Sequence, residues 1–215
     1  MVLQLYYITD RRQFAGDAQE QEQRLLAKIA ECAAAGIQYV QLREKDLEAR
    51  ALEELARKVM GVLGGSQTRL LINSRTDVAL ACGAHGVHLP SNDLAASEVR
   101  AIFARAGKSE PVIGVSTHSA AEVASAEAHG ASFAVFGPVF EKSGSANLEG
   151  LEQLRRICHR TEAAQPPMQV WALGGITLEN AQQCASAGAA GIAGIRLFQE
   201  NDVLAVVKDL LSLRI

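Results

Sequence analysis

The sequence predicts an α/β fold, a closed (β/α)8 barrel of the TIM type, on three observations. Eight short apolar runs alternate with eight helical segments and leave no stretch unassigned. No Pro/Ser-rich linker or low-complexity tract divides the 215 residues, so one barrel domain spans 1–215. The last two apolar runs, VWALGGIT at 170–177 and GIAGIRLF at 191–198, each stop at a glycine or polar group before a helix. A buried parallel strand reads as such a continuous apolar run. The rival is a doubly wound open sheet. Against it, no GxGxxG turn follows the first strand, and the connections are tight.

Taken in order, strands are expected at 3–9, 39–43, 69–73, 86–89, 112–116, 133–136 and within the two closing runs. Helices are expected at 21–35, 48–63, 76–82, 95–104, 119–129, 148–160, 178–188 and 202–213. Gly36, the pair Gly64–Gly65 and Gly83 close the first three helices. Ser119 with Glu122 three residues on has capping-box spacing, and Asn201 or Asp202 caps the last helix.

Composition narrows the function. Hydrophobic residues make up 48% and aromatics only 5%, which suits an Ala/Leu/Val/Ile interior better than an aromatic-rich sandwich. The net charge of −3, with Lys and Arg spread along the chain, gives no clustered basic face for nucleic acid. No run has the length of a membrane span, and MVLQLYYITD lacks the basic lead of a secretion signal. Cys32, Cys82, Cys158 and Cys184 stand far apart with no CxxC, so they read as small hydrophobes of a reducing cytosol rather than zinc ligands. The expected location is therefore cytoplasmic. A homo-oligomer is compatible with the sequence, which does not set the oligomeric state.

A barrel of this kind carries its site at the C-terminal ends of the strands. There stand Gln41, Arg43 and Lys45 after strand two, Asn73, Ser74 and Arg75 after strand three, and Asp93 after strand four. Ser116 and His118 follow strand five; Lys142, Ser143 and Ser145 follow strand six. Gly174 and Gly175 end strand seven, and Ile195 and Arg196 end strand eight. Glycines there let bare backbone N–H groups approach a ligand, and two such ends side by side make an anion site. The polar, cationic rim suits a ligand with more than one phosphate. Duller readings stand beside these. Gln41 and Arg43 alternate, so both point inward, either at a ligand or at structural partners such as Glu44 or Asp46. Asn73 reads as a turn residue, Asp93 as a helix cap and His118 as helix-start decoration. His85 and His88 read as structural.

YYITD, QLREKD, LLINSRTDVAL, GVHLPSNDL, IGVSTHS, FGPVF, ALGGIT and the GIAGI ending resemble, in order and over nearly the whole chain, the thiamine phosphate synthase/TenI superfamily. The resemblance implies a (β/α)8 barrel acting on small phosphorylated substrates. It also implies the joining of 4-amino-2-methyl-5-hydroxymethylpyrimidine diphosphate to 4-methyl-5-(β-hydroxyethyl)thiazole phosphate, with release of pyrophosphate and Mg²⁺ as cofactor. By position it assigns Gln41, Arg43 and Lys45 to the pyrimidine and pyrophosphate, Asn73 to the diphosphate and Asp93 to Mg²⁺. Ser116 falls in the reaction pocket, and Gly174, Gly175, Ile195 and Arg196 in the thiazole phosphate cradle. Chemistry of this type needs positioning and electrostatic stabilisation of a leaving diphosphate, not a nucleophilic side chain.

The chain departs from the synthase pattern at three places. Ser74 replaces an aspartate, which removes a hard charged ligand. EKSGSAN replaces a loop with two threonines and a lysine, so Lys142 serves only if shifted. Arg196 replaces a serine. Several features lean instead toward TenI, which aromatises a thiazole carboxylate phosphate tautomer. His118 matches the histidine proposed as its acid/base, a role suited to a group that changes charge near neutrality. A barrel that binds such a phosphate without turnover is the third reading. The intact Gln41, Arg43 and Lys45 favour the synthase.

Overall fold

The computed structural model describes residues 3–141, 148–161 and 167–213. Its strands are β1 Gln4–Ile8, β2 Tyr39–Leu42, β3 Arg69–Asn73, β4 Gly86–Leu89, β5 Val112–Thr117, β6 Phe133–Phe136, β7 Val170–Ala172 and β8 Gly191–Gly194. All are parallel, each pairs with the next, and β8 closes on β1 through Gln4↔Gly191 to Tyr7↔Gly194. The expected closed barrel is therefore the observed one. The helices are α1 Ala18–Ala34, α2 Ala49–Val62, α3 Thr76–Cys82, α4 Ala96–Arg105, α5 Ala120–Ala128, α6 Leu148–Thr161, α7 Ala181–Ser186, α8 Arg196–Gln199 and α9 Val203–Leu211. No helix among the described residues is long and apolar enough to cross a membrane.

Local chemistry moves several boundaries. α1 starts three residues before the expected position because Asp17 accepts from the N–H groups of Gln19 and Glu20 while Glu20 returns to the Asp17 N–H, a complete capping box. At α5, Ser119 accepts from the Glu122 N–H, but the Glu122 carboxylate reaches the N–H of His118 rather than that of Ser119. Asp202 caps α9 through the Ala205 N–H. β8 ends at Gly194, and Arg196–Gln199, within the closing apolar run, form the one-turn α8.

The core has two parts. Between sheet and helices lies an aliphatic layer, including Leu5, Val40, Leu70 and Val87 against Leu25, Leu52 and Val99. The four cysteines are buried and form no disulfide among the described residues. Inside the barrel, Ile8, Leu71, Val112 and Val135 pack with aromatic side chains. Four of the aromatics, Tyr6, Tyr39, Phe133 and Trp171, form a plug there in which Phe133 and Trp171 stack at 3.6 Å. Side chains two residues further along a strand share the inward face. Tyr39 is thus followed by Gln41, and Gly114, paired with Phe133, by Ser116. The plug fills the N-terminal half of the barrel and leaves a polar layer above it.

Candidate active site

The ends of β7 and β8 lie side by side, joined through Trp171↔Gly191 and Ala172↔Ile192. Beyond them, a cavity of about 800 Å³ is lined by Gly174, Gly175, Ile195 and Arg196, and by Arg43 just after β2. Gly174 and Gly175 have φ of 100° and 61°, in the left-handed region. A Cβ on Gly175 would lie 1.9 Å from the Glu141 carbonyl oxygen, and one on Gly174 2.7 Å from Pro138 Cα. The carbonyls of Leu173 and Gly174 accept from the N–H groups of Val139 and Phe140, so the loop after β6 is zipped to this turn. Asn180 holds the turn from behind: its Nδ2 donates to the Gly175 carbonyl at 2.9 Å and its Oδ1 accepts from the Thr177 N–H at 2.8 Å. The N–H groups of Gly174, Gly175 and Ile195 have no partner among the described residues. Unpaired amides converging on a cavity constitute an anion-binding arrangement.

A second element of the rim follows β2. Gln41 is buried, and its Nε2 donates to Asn73 Oδ1 at 3.3 Å. Glu44 is buried between Arg43 and Lys45. It accepts from Thr9 Oγ1 at 2.6 Å, from the Arg11 N–H at 3.1 Å and from the Arg11 guanidinium at 3.0 Å. The same guanidinium grips Asp46 through two bonds of 2.8 and 2.7 Å and holds that carboxyl below its usual range. Glu44 and Asp46 are therefore partners of Arg11, which leaves Arg43 to the cavity wall. Lys45 is exposed in the turn that follows and does not line the cavity.

After β3, Ser74 occupies the left-handed region with φ of 61°, and its hydroxyl donates to Asp93 Oδ2. Asp93 Oδ1 accepts from the Leu94 N–H at 2.8 Å. The α4 cap is Ala95, so Asp93 is not the cap of that helix. Each carboxylate oxygen retains a lone pair, and Ser74 adds a hard oxygen beside it. No group of three or more His, Cys, Asp or Glu among the described residues can enclose a metal. This donor set fits Mg²⁺, which binds through one or two carboxylates plus substrate phosphates rather than a full protein cage.

Inside the polar layer, His88 is fully buried. Its Nδ1 lies 3.2 Å from the Tyr6 hydroxyl and its Nε2 2.8 Å from Ser116 Oγ. Burial, with the positive charge of Arg43, pushes the imidazole down to about 3, so the ring is neutral. His118 is exposed, and its Nδ1 lies 2.6 Å from the Gly137 carbonyl oxygen. A carbonyl only accepts, so Nδ1 carries a hydrogen, and in the neutral ring the lone pair is then on Nε2. Lys142, Ser143 and Ser145 lie outside the described residues. The cavity thus gathers Arg43, Gly174, Gly175, Ile195 and Arg196. Gln41, Asn73, Asp93, Ser116 and His118 occupy other parts of the rim and interior. Sequence reasoning missed Arg11, Asn180 and the link from His88 to Ser116; only the inward alternation of GVHL signalled the last. A further depression of about 690 Å³ at the opposite mouth, bordered by Arg69, His85 and Lys108, contains none of the rim residues.

Comparison with known proteins gives one family. The thiamine monophosphate synthase (TMP-TENI) family matches residues 5–198. A putative thiamine-phosphate synthase of Geobacter sulfurreducens is 42% identical over 192 residues, covering 88% of this chain and 83% of that protein. A thiamine-phosphate synthase of Azorhizobium caulinodans is 35% identical over 197 residues, covering 89% and 84%. The solved structure of thiamine phosphate pyrophosphorylase from Pyrococcus furiosus superposes with a TM-score of 0.78 at 30% identity, covering 97% of this chain and 93% of that one. These matches over almost all of its length make the chain a member of the thiamine monophosphate synthase family.

Proposed function

We propose that this protein is a thiamine-phosphate synthase. It takes the pyrimidine diphosphate and the thiazole phosphate, breaks the C–O bond to the diphosphate and forms a C–N bond to the thiazole nitrogen. The bonding pair of the broken bond leaves with pyrophosphate, and the nitrogen lone pair makes the new bond. The observation that carries this reading is that Arg43 lines the same cavity as Gly174, Gly175 and Ile195. A site for one phosphoryl group thereby adjoins a cation suited to a second, anionic leaving group. The cradle amides hold the thiazole phosphate and aim its ring, which converts a two-molecule encounter into a positioned one. Arg43 stabilises the negative charge growing on the diphosphate, and Gln41 with Asn73 offers amides for the pyrimidine or diphosphate. Asp93 would hold Mg²⁺, which would further neutralise that charge. The test is to incubate the purified protein with both substrates and Mg²⁺ and assay thiamine phosphate. Absence of product with the thiazole tautomer consumed would replace this reading.

One observation favours that second reading, a TenI-type tautomerase. In the neutral ring, the Nδ1 contact of His118 with the Gly137 carbonyl puts the acceptor lone pair on Nε2 of an exposed rim residue. Under it, His118→Asn abolishes tautomer turnover and spares ligand binding; under the synthase reading thiamine phosphate formation survives the substitution.

A further inference from the structure

Tyr6, His88 and Ser116 superficially form a base-activated hydroxyl, with a histidine between a phenol and a serine. The proton order argues otherwise. Tyr6 and His88 are 0% and 3% exposed, and His88 is fixed by packing. Gly114 pairs with it across β4 and β5, and a Cβ there would come 2.8 Å from His88 Nδ1 and 2.5 Å from Phe133 Cζ. The Tyr6 hydroxyl has one hydrogen-bond partner among the described residues, Nδ1 of His88. A buried hydroxyl that cannot donate is heavily disfavoured. A neutral imidazole has one N–H and one acceptor nitrogen. If Tyr6 donates to Nδ1, the ring hydrogen sits on Nε2 and is donated to Ser116 Oγ. The other order leaves the phenol hydrogen with no acceptor in a dry interior, a bias on the order of tenfold or more.

We propose that His88 is a positioning residue that makes Ser116 a hydrogen-bond donor to the substrate: Tyr6 O–H donates to Nδ1, Nε2–H donates to Ser116 Oγ, and the serine hydrogen is left for an anionic oxygen of the leaving diphosphate. The lone pair of the imidazole is used by Tyr6, so Ser116 has no base and does not act as a nucleophile. A chain of donors running one way also strengthens its last member. The final acceptor rests on the synthase reading, whereas the proton order is a property of the free protein.

Two measurements test it. Long-range ¹H–¹⁵N NMR of the labelled protein is expected to show His88 as the Nε2–H tautomer between about pH 5 and 8, and Tyr6→Phe to mix in the Nδ1–H form. In turnover, Tyr6→Phe lowers kcat on the order of tenfold with KM little changed, and adds nothing to Ser116→Ala, as members of one chain must behave. An Nδ1–H tautomer in the parent protein, or fully additive substitutions, overturns the proposal. The expected tautomer and Tyr6 dependence, without any thiamine phosphate formed, would sustain the proton order and overturn the synthase reading instead.

Discussion

Arg11→Met tests whether the loop carrying Arg43 and Lys45 is held by one buried guanidinium. The Arg11 side chain is 10% exposed, its partner Glu44 1% and its partner Asp46 37%. Losing one member of a buried pair typically costs about 3–5 kcal/mol, because a charge is stranded without compensation. Here Thr9 Oγ1 and the Arg11 N–H still serve Glu44 after the change. The low end, about 3 kcal/mol, is therefore expected, and at about 2–4 °C per kcal/mol for a chain of this size Tm falls by about 6–12 °C. Asp46 is solvent-screened, so Asp46→Asn costs less than about 1 kcal/mol. The sign with pH follows. Arg11 lowers the Asp46 value in the folded state, so that small share is present above the ordinary value of 3.8 and is lost as pH falls through the folded one. Urea and thermal unfolding at neutral pH measure the ranking. An Arg11→Met protein within about 1 kcal/mol of the parent, or an Asp46→Asn protein damaged as much, refutes the assignment of the clamp to the Glu44 half.

Three further outcomes follow from the same geometry. Gly175→Ala forces a Cβ against the Glu141 carbonyl at positive φ, so hydroxyethylthiazole phosphate binding by calorimetry weakens by more than about tenfold; unchanged affinity would place the cradle elsewhere. Ser74→Asp puts a second carboxylate beside Asp93 at a φ that aspartate accepts. Tm should drop by a few degrees in EDTA and recover with millimolar Mg²⁺, and a Tm indifferent to Mg²⁺ would remove Asp93 from any metal site. His88 stays neutral when folded but protonates when unfolded, so the unfolded chain binds more protons and stability rises with pH from about 3 up to the ordinary 6.5. Its slope is at most about 1.4 kcal/mol per pH unit, and His88→Gln removes most of it, with His85 contributing in the same sense.

The barrel was legible because its signals are local. Each apolar run buries in place, and Gly36 and Gly83 end helices by adopting positive φ. The α1 start was also written locally, in Asp17 and Glu20, and was overlooked because the apolar periodicity begins later. α8 was not legible, since IRLF continues an apolar run and only the turn after Gly194 separates strand from helix. The aromatic plug was hidden by composition. A low aromatic count does not say where Tyr6, Tyr39, Phe133 and Trp171 meet, and each comes from a different strand.

The site divides along the same line. Alternation sufficed to turn Gln41 and Arg43 inward, but the partners of His88 lie 82 and 28 residues away, and no spacing rule links them. The glycine pair shows why a packing explanation and a ligand explanation are not rivals. The loop after β6 demands glycine through the Cβ clashes, and its Val139 and Phe140 N–H groups occupy the carbonyls of Leu173 and Gly174. Packing therefore consumes the acceptors of the turn and leaves its donors, the N–H groups of Gly174 and Gly175, unmatched. A turn with surplus donors beside the unmatched N–H of Ile195 and the guanidinium of Arg43 is balanced only by an acceptor-rich, negatively charged group. The contact that fixes the backbone thus also leaves free the donors that the proposed function assigns to a phosphoryl oxygen.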